Sequence, residues 1–499
     1  MPNKDVYSAI QKIFPLPVCP WDDYFIAMAQ TDYFAGNAGL QAAKSFFIRK
    51  APFKGSYALL GGLTEFIRIL NEHRFGDECL SILKDQGYSR QFLEYLRYLG
   101  SVAVNLKVYA PREGSMFLPM EPVVTVEGDI IAVRIAEGMM ACLNPSSLFL
   151  TKWNRVAQVA EPGLVMEFSR RRAQSPERAS LYAHLGGAAI SSNTEMRKAL
   201  DIPIRGTMGH EFVQSWGDEF LAFDKWLYHN PNKPVLLVDT INTMASGIPN
   251  AVKAYKLHKA KIDAAGGTFG VRFDSGDLAY LAMETAKVFQ NEGIFDYRLF
   301  MTNDLDEYKI ESIKQQIFTN AGRLGLSPIQ VLDKLVWAAG TLPGTCEDQP
   351  SLGGVAKLVE IDHRAVIKIA KDNPIKTSIP GNNRSTYVYR DGWLECCVIH
   401  HKDERVEDLD NVYHPDDFSK SVGLSNKDNL TYVKRQELID LDRYRPSVED
   451  VRKATDSDFK GLHWTHKRLE NPHTVKVSLS PKVFHLRKEM IRDFKLIQD

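Results

Sequence analysis

The chain has 499 residues, more than one compact core accommodates, and at about 150 residues per domain it divides into two or three. Hydrophobic residues at 44% and charged residues at 25% are ordinary globular usage, which excludes a disordered, collagen-like or coiled-coil chain. Lys+Arg and Asp+Glu balance at 62 each, so the overall positive field of a non-specific nucleic-acid binder is absent and any anion site must be a local gathering of Arg and Lys.

The N-terminal stretch MPNKDVYSAIQKIFPLPV sets Asp5 beside Lys4 and lacks the apolar core of a secretory signal. Apolar stretches are interrupted early, as by Arg134 and Glu137 in IIAVRIAEGMMACL, so no membrane span is expected and the expected location is cytoplasmic. The cysteines (Cys19, Cys79, Cys142, Cys346, Cys396, Cys397) show neither CxxC nor Cys/His ligand spacing, which points to reduced structural thiols and no zinc site.

Residues 1–150 read as an N-terminal α/β domain. KSFFIRKAPF and SVAVNLKVYA have strand character, TEFIRILNEH is an amphipathic helix, and 102–136 carries short β-type runs. Over 151–345 short apolar runs alternate with helical stretches, the sequence form of repeated βα units. The runs are LVMEF (164–168), GGAAI (186–190), IPIRG (202–206), PVLLVD (234–239), TFGVRF (268–273), YRLFM (297–301) and LVWAAG (335–340). In DLAYLAMETAKVFQNEG the helical spacing places Leu278, Leu281, Ala282, Thr285, Val288 and Phe289 on one face before Gly293. About seven βα units predict an irregular, closed or nearly closed TIM-like barrel. Beyond 345 come glycine-rich strands (SLGGVAKLVEI, AVIKIAK, STYVYRDG) and then HHKDERVEDLDNVYHPDDFSK, read as a solvated surface. His400–His401 and Cys396–Cys397 have no partners at ligand spacing and read as surface or packing residues.

Polar residues of catalytic type follow nearly every apolar run of the middle region. Arg170, Arg171 and Arg172 follow the first; Ser191, Ser192 and Asn193 the second; Thr207 and His210 the third. Asp239, Thr240 and Asn242 come next, then Arg272, Asp274 and Ser275, then Thr302, Asn303 and Asp304, and last Gly340 and Thr341. In a βα-barrel these positions converge on one mouth. Helix capping by Asp, Ser and Thr explains any single loop, but not seven polar loops that together carry four arginines and a histidine. Guanidinium groups bind phosphate and carboxylate bidentately, so Arg171, Arg172 and Arg272 imply a polyanionic substrate. Asp239 and Asp274 are suited to Mg²⁺, to sugar hydroxyls or to pairing the arginines. His210, at a helix start in GTMGHEFVQSW, sits where the positive dipole end disfavours imidazolium and leaves a nucleophilic ring; Glu211 beside it suits either orienting the ring or the helix N-terminus itself. The Gly340-Thr341 loop offers backbone N–H groups to a phosphate.

Together the stretches FFIRKAPFKGSYALLGGL, EFSRRRAQ, GTMGHEFVQSW, LLVDTINTMASGIPNAVKA, GVRFDSGDLAYL, TNDLDE, SLGGVAKLVEI and IKTSIPGNNR resemble the nicotinate phosphoribosyltransferase family. They run in the family's order from about residue 22 to 384, with a weaker echo in VSLSPKVFHLRKEMI. The resemblance implies a type II phosphoribosyltransferase fold, in which 346–499 returns to complete the N-terminal domain, working as a head-to-tail homodimer. It also implies a reaction: nicotinate and phosphoribosyl pyrophosphate give nicotinate mononucleotide and pyrophosphate, with Mg²⁺ and with ATP as co-substrate.

By the same resemblance His210 is transiently phosphorylated, and Arg272 and Asp274 complete the catalytic set near the pyridine and ribose. Arg171 and Arg172 bind the nicotinate carboxylate and the phosphates, Asp239 faces the ribose and Mg²⁺, and Gly340 and Thr341 hold the 5′-phosphate. Ser192, Thr207 and Ser275 line the substrate site. Arg49 and Lys50 reach a neighbouring subunit's site, and Phe25 falls where the family usually has a Tyr that stacks on the pyridine. The chain departs from the family at Ile241 and Asn242, where a Tyr-Asp pair is common, and at DDYF in place of a TDLY-like pattern. The attacking pyridine nitrogen carries no proton, so the reaction needs orientation and charge neutralisation rather than a general base. Competing readings are a nicotinamide-preferring enzyme, a non-catalytic nucleotide-binding homologue, and an unrelated barrel hydrolase of phosphorylated sugars; the last lacks a catalytic carboxylate pair and a metal-ligand cluster.

Overall fold

A computed structural model describes residues 5–370, 372–373, 376–417 and 419–496, and the chain divides into two compact units: Met1–Leu148 with Ser351–Asp499, and Phe149–Pro350.

The second unit is built on a six-stranded sheet in the order Ile190–Ser191, Leu164–Glu167, Leu335–Ala339, Tyr297–Met301, Phe269–Phe273, Val235–Leu237. Every neighbouring pair is parallel. Strands covered on both faces read as continuous apolar runs rather than alternating ones, and Val235–Leu237 and Leu335–Ala339 are buried throughout. The run 202–206 contributes a single parallel bridge, Ile204 to Ser191, instead of a strand. Pro203 has no N–H to donate, so only its carbonyl (to Ser191 N–H, 3.1 Å) and Arg205 N–H (to Ser191 O, 3.1 Å) tie the run to the edge. The result is a barrel-like sheet that is irregular on this side.

Helices Pro176–Leu185, Glu219–His229, Ile248–Ala264, Leu278–Asn291 and Glu307–Asn320 connect the strands. Leu278–Asn291 starts where the Asp277 carboxylate accepts the Tyr280 N–H (3.1 Å) and is followed by Gly293 at φ +70°. It buries Leu278, Leu281, Ala282, Thr285 and Phe289, together with Ala279, Met283 and Ala286, while Val288 is half-buried. The Phe289 ring is fully buried between Phe269 (5.6 Å) and Tyr297 (4.9 Å). Away from the strand ends, Glu307 is fully buried and pairs with Lys152 and Arg155, both at 2.8 Å, and Lys152 also pairs with Asp348 at 2.9 Å.

The first unit holds two further six-stranded sheets. One has the order Arg364–Ala365, Val355–Ile361, Gln41–Phe47, Val124–Asp129, Leu106–Ala110, Glu437–Leu438, so late segments flank a block of early ones on both sides. Gln41–Phe47 pairs antiparallel with Val124–Asp129 on one side and Val355–Ile361 on the other. The other sheet is wholly C-terminal and centres on Asn383–Arg390 and Trp393–His401. Within the charged C-terminal segment, Val406 and Val412 turn inward onto a core with Val388, Cys396, Val398 and Leu424.

Further stretches differ from their sequence reading: GGAAI gives only Ile190 to a strand, and AVIKIAK, among the described residues, only Ala365. SVAVN forms the 3-10 turn Val102–Asn105 before strand Leu106–Ala110, and IIAVRIAEGM forms helix Ile130–Met139, whose N-terminus is capped by the Asp129 carboxylate. That helix is buried on nearly all sides, so its sequence shows no polar stripe to distinguish it from strand. No cysteine forms a disulfide, and no helix among the described residues is long and apolar enough to cross a membrane.

Candidate active site

Parallel strands deliver their C-terminal ends to one side of the sheet. There the strand-end loops of the second unit enclose a cavity of about 430 Å³, lined by Phe168, Arg170, Arg171 and Arg172, by Ser192, by Gly206 to Gly209, by Arg272 and Asp274, by Thr302, Asn303 and Asp304, and by Gly340 and Thr341.

Arg272 is fixed at three points. Its Nη1 donates to Thr207 Oγ1 (3.0 Å), its Nε to Thr302 Oγ1 (3.3 Å), and its Nη2 lies 3.1 Å from Asp274 Oδ2, with the guanidinium 5.7 Å from the centre of the Phe168 ring. Burial alone would push the Asp274 carboxyl up. The hydrogen bond from Thr302 and the Arg272 guanidinium outweigh burial and hold it below the usual carboxylate range.

Asp239 forms a second node. Its side chain is 2% exposed; Oδ1 lies 3.2 Å from His210 Nε2, and Oδ2 accepts from Asp274 N–H (3.0 Å) and Ser275 Oγ (2.6 Å). An ionised carboxylate only accepts, so the pairing assigns the ring proton to Nε2 and leaves the Nδ1 lone pair available. His210 opens the helix His210–Trp216, follows the cavity-lining Gly209, and has a side chain 41% exposed.

The third node is the arginine loop. Arg172 Nη1 donates to Thr341 Oγ1 (3.0 Å) and Arg170 Nε to Asn193 Oδ1 (3.0 Å), while Arg171 is exposed. Gly340 packs closely: a Cβ there would sit 3.0 Å from the Phe168 carbonyl oxygen.

The structure thus gathers Arg171, Arg172, Ser192, Thr207, Arg272, Asp274, Gly340 and Thr341 around one cavity, with His210, Asp239 and Ser275 joined to it through Asp274. Phe25, Arg49 and Lys50 belong to the other unit. Phe25 is buried, 4.0 Å from the Tyr24 ring, whereas Tyr24 itself is 52% exposed. Arg49 is half-buried and Lys50 exposed. Ile241 is exposed, and Asn242 accepts the Ala245 N–H (2.8 Å), starting the next helical turn.

The sequence gives no role to Phe168 and places Asn303 and Asp304 only generally, at the barrel mouth. The last two adopt left-handed backbone (φ 81° and 48°) at the cavity, a strained pair whose only sequence signal is the polar triplet after YRLFM.

A parallel βα-sheet whose strand ends assemble an arginine-rich cavity beside a carboxylate-held histidine defines an α/β-barrel enzyme with an anion-binding mouth. Residues 21–144 match the nicotinate phosphoribosyltransferase (NAPRTase) N-terminal domain family and residues 398–487 the corresponding C-terminal domain family. A nicotinate phosphoribosyltransferase of Bacillus subtilis is 31% identical over 494 residues, covering 95% of each chain. One of Dictyostelium discoideum is 28% identical over 93% of this chain and 86% of its own. Human nicotinic acid phosphoribosyltransferase shares the fold with a TM-score of 0.75 at 24% identity, over 94% of this chain and 99% of its own. The chain belongs to the nicotinate phosphoribosyltransferase family.

Proposed function

We propose that this enzyme joins nicotinate to phosphoribosyl pyrophosphate, giving nicotinate mononucleotide and pyrophosphate, in the salvage route to NAD. The observation that carries the reading is the pairing of two fixed nodes at one mouth: Arg272 with Asp274, and Asp239 with His210. The pyridine nitrogen attacks the ribose C1 as the C1–oxygen bond to pyrophosphate breaks. Arg171 and Arg172 take the nicotinate carboxylate and the phosphates, Gly340 and Thr341 the 5′-phosphate, and Arg272 the charge developing near the ring. Ser192 and Thr207 add hydrogen bonds at the wall, and Ser275 supports Asp239.

ATP enters as co-substrate. His210 Nδ1 attacks the γ-phosphorus, a phosphorus–nitrogen bond forms as ADP leaves, and the phosphohistidine is hydrolysed in each turnover. Mg²⁺ would neutralise the pyrophosphate. Asp274 lines the cavity with its side chain 28% exposed, whereas Asp239 is 2% exposed and lies behind it, so Asp274 rather than Asp239 is the carboxylate placed to share the ion. Of the two adjacent aromatics, the exposed Tyr24 suits stacking on a pyridine better than the buried Phe25. With Arg49 and Lys50 it would complete a partner's site in a head-to-tail homodimer in the cytoplasm.

The test is direct. Purified protein with nicotinate, phosphoribosyl pyrophosphate and Mg²⁺ should release pyrophosphate and the mononucleotide, faster with ATP. Faster conversion of nicotinamide would shift the assignment to the amide, and nucleotide binding without pyrophosphate release would make the protein a non-catalytic homologue.

A further inference from the structure

We infer that Glu167 is a positioning residue for the substrate-binding loops, an inference that rests on the active-site reading above. Glu167 ends strand Leu164–Glu167 and is fully buried. Among the described residues no cation is a hydrogen-bond partner: Oε1 accepts from Ser169 N–H and Ser169 Oγ, both at 2.5 Å, and Oε2 accepts from Ser191 Oγ at 2.5 Å. A buried carboxylate is costly, and a neutral side chain could have filled the same space. What the carboxylate adds is acceptors alone, aimed at donors in two different loops.

Those loops carry the anion-binding groups. Ser169 O accepts from Arg172 N–H (2.8 Å) and Ala173 N–H (2.9 Å), so clamping Ser169 sets the turn on which Arg170, Arg171 and Arg172 stand. On the other side Ser191 Oγ accepts from Asn193 N–H (2.9 Å), and Asn193 Oδ1 accepts from Arg170 Nε (3.0 Å). The backbone carbonyl of Glu167 holds Ser192 N–H at 2.9 Å. A third loop leans on the same clamp: a Cβ at Gly344 would lie 2.1 Å from Ser169 Cβ, so the turn that begins at Gly340 and Thr341 packs directly on Ser169. One carboxylate therefore registers three strand-end loops against one another without lining the cavity itself.

The test is Glu167→Gln, which keeps the shape and turns one acceptor into a donor. The Ser169 N–H cannot reverse, so the amide nitrogen must face Ser191 Oγ, which already accepts from Asn193 N–H. The expected result is a rise of about tenfold in KM for phosphoribosyl pyrophosphate, the loss of about one hydrogen bond to a charged group, with kcat within about twofold of wild type. Ser191→Ala, which leaves the Ser169 clamp intact, should raise the same KM about threefold and keeps the question answerable if Glu167→Gln does not fold. An unchanged KM in the folded variants would overturn the inference, as would kcat and KM worsening only in step with a lowered Tm. If wild type itself releases no pyrophosphate with nicotinate, the active-site reading fails instead, so the two failures are distinguishable.

Discussion

Replacing Asp239 by Asn alters a side chain that is 2% exposed while leaving its volume almost untouched, so its effect isolates hydrogen bonding. The backbone N–H of Asp274 and the Ser275 hydroxyl both point at Oδ2, and the N–H cannot turn into an acceptor. The amide oxygen must stay there, and the amide nitrogen must face His210 Nε2. It donates, the ring proton moves to Nδ1, and the lone pair needed for attack on a phosphoryl group is lost. A hydrogen bond to a charged group is worth about 1.5–3 kcal/mol, and at about 1.4 kcal/mol per tenfold this corresponds to a loss of about 10- to 100-fold. The assay is acid-labile labelling of the protein from γ-labelled ATP, followed alongside nicotinate-stimulated ATP hydrolysis. Both should fall by that factor while slow ATP-independent transfer continues. Labelling at the wild-type rate would refute the tautomer argument.

His210→Ala should abolish nicotinate-stimulated ATP turnover and leave slow ATP-independent transfer; unaltered coupling in that variant would exclude the phosphohistidine role. Because the Asp274 carboxyl is held below its ordinary range, its stabilising share is present at neutral pH and disappears as pH falls through the depressed value. Asp274→Asn should therefore lose less Tm than wild type between about pH 7 and about pH 3, and equal losses would contradict the assignment. Phe289→Ala empties a ring site between Phe269 and Tyr297 and should cost about 3–5 kcal/mol, read as a lowered denaturation midpoint; a cost below about 1 kcal/mol would mean the site collapses around the gap.

The barrel was legible because doubly covered parallel strands leave unbroken apolar runs, each ending in a polar cluster that the topology sends to one face. Run 202–206 has the same composition, yet Pro203 reduces it to a bridge, a matter of one missing donor that hydrophobic patterning does not register. Helix Ile130–Met139 escaped for the opposite reason, since burial on nearly all sides left only Arg134 and Glu137 to mark a face. Within the site, residue types and their convergence could be read, but pairings could not. Asp239 and His210 are 29 residues apart, and nothing local says that one caps the other's ring. Glu167 sits inside an apolar run and passed as part of a strand. The order of Tyr24 and Phe25 shows how little a motif says about facing: adjacent aromatics differ in exposure because only one turns inward from helix Asp23–Phe34.

The flanking of early strands by late ones in one sheet has a consequence for synthesis. Strand Gln41–Phe47 can pair with Val124–Asp129 soon after it leaves the ribosome, but its other neighbour, Val355–Ile361, is translated ~300 residues later, roughly 15–60 s at ~5–20 residues per second. Throughout that interval one row of its amide and carbonyl groups faces outward, a ready template for a stray strand from another nascent chain. Yield in cells should therefore depend on elongation speed and on chaperones that cover this edge, even for sequence changes that leave the finished enzyme untouched.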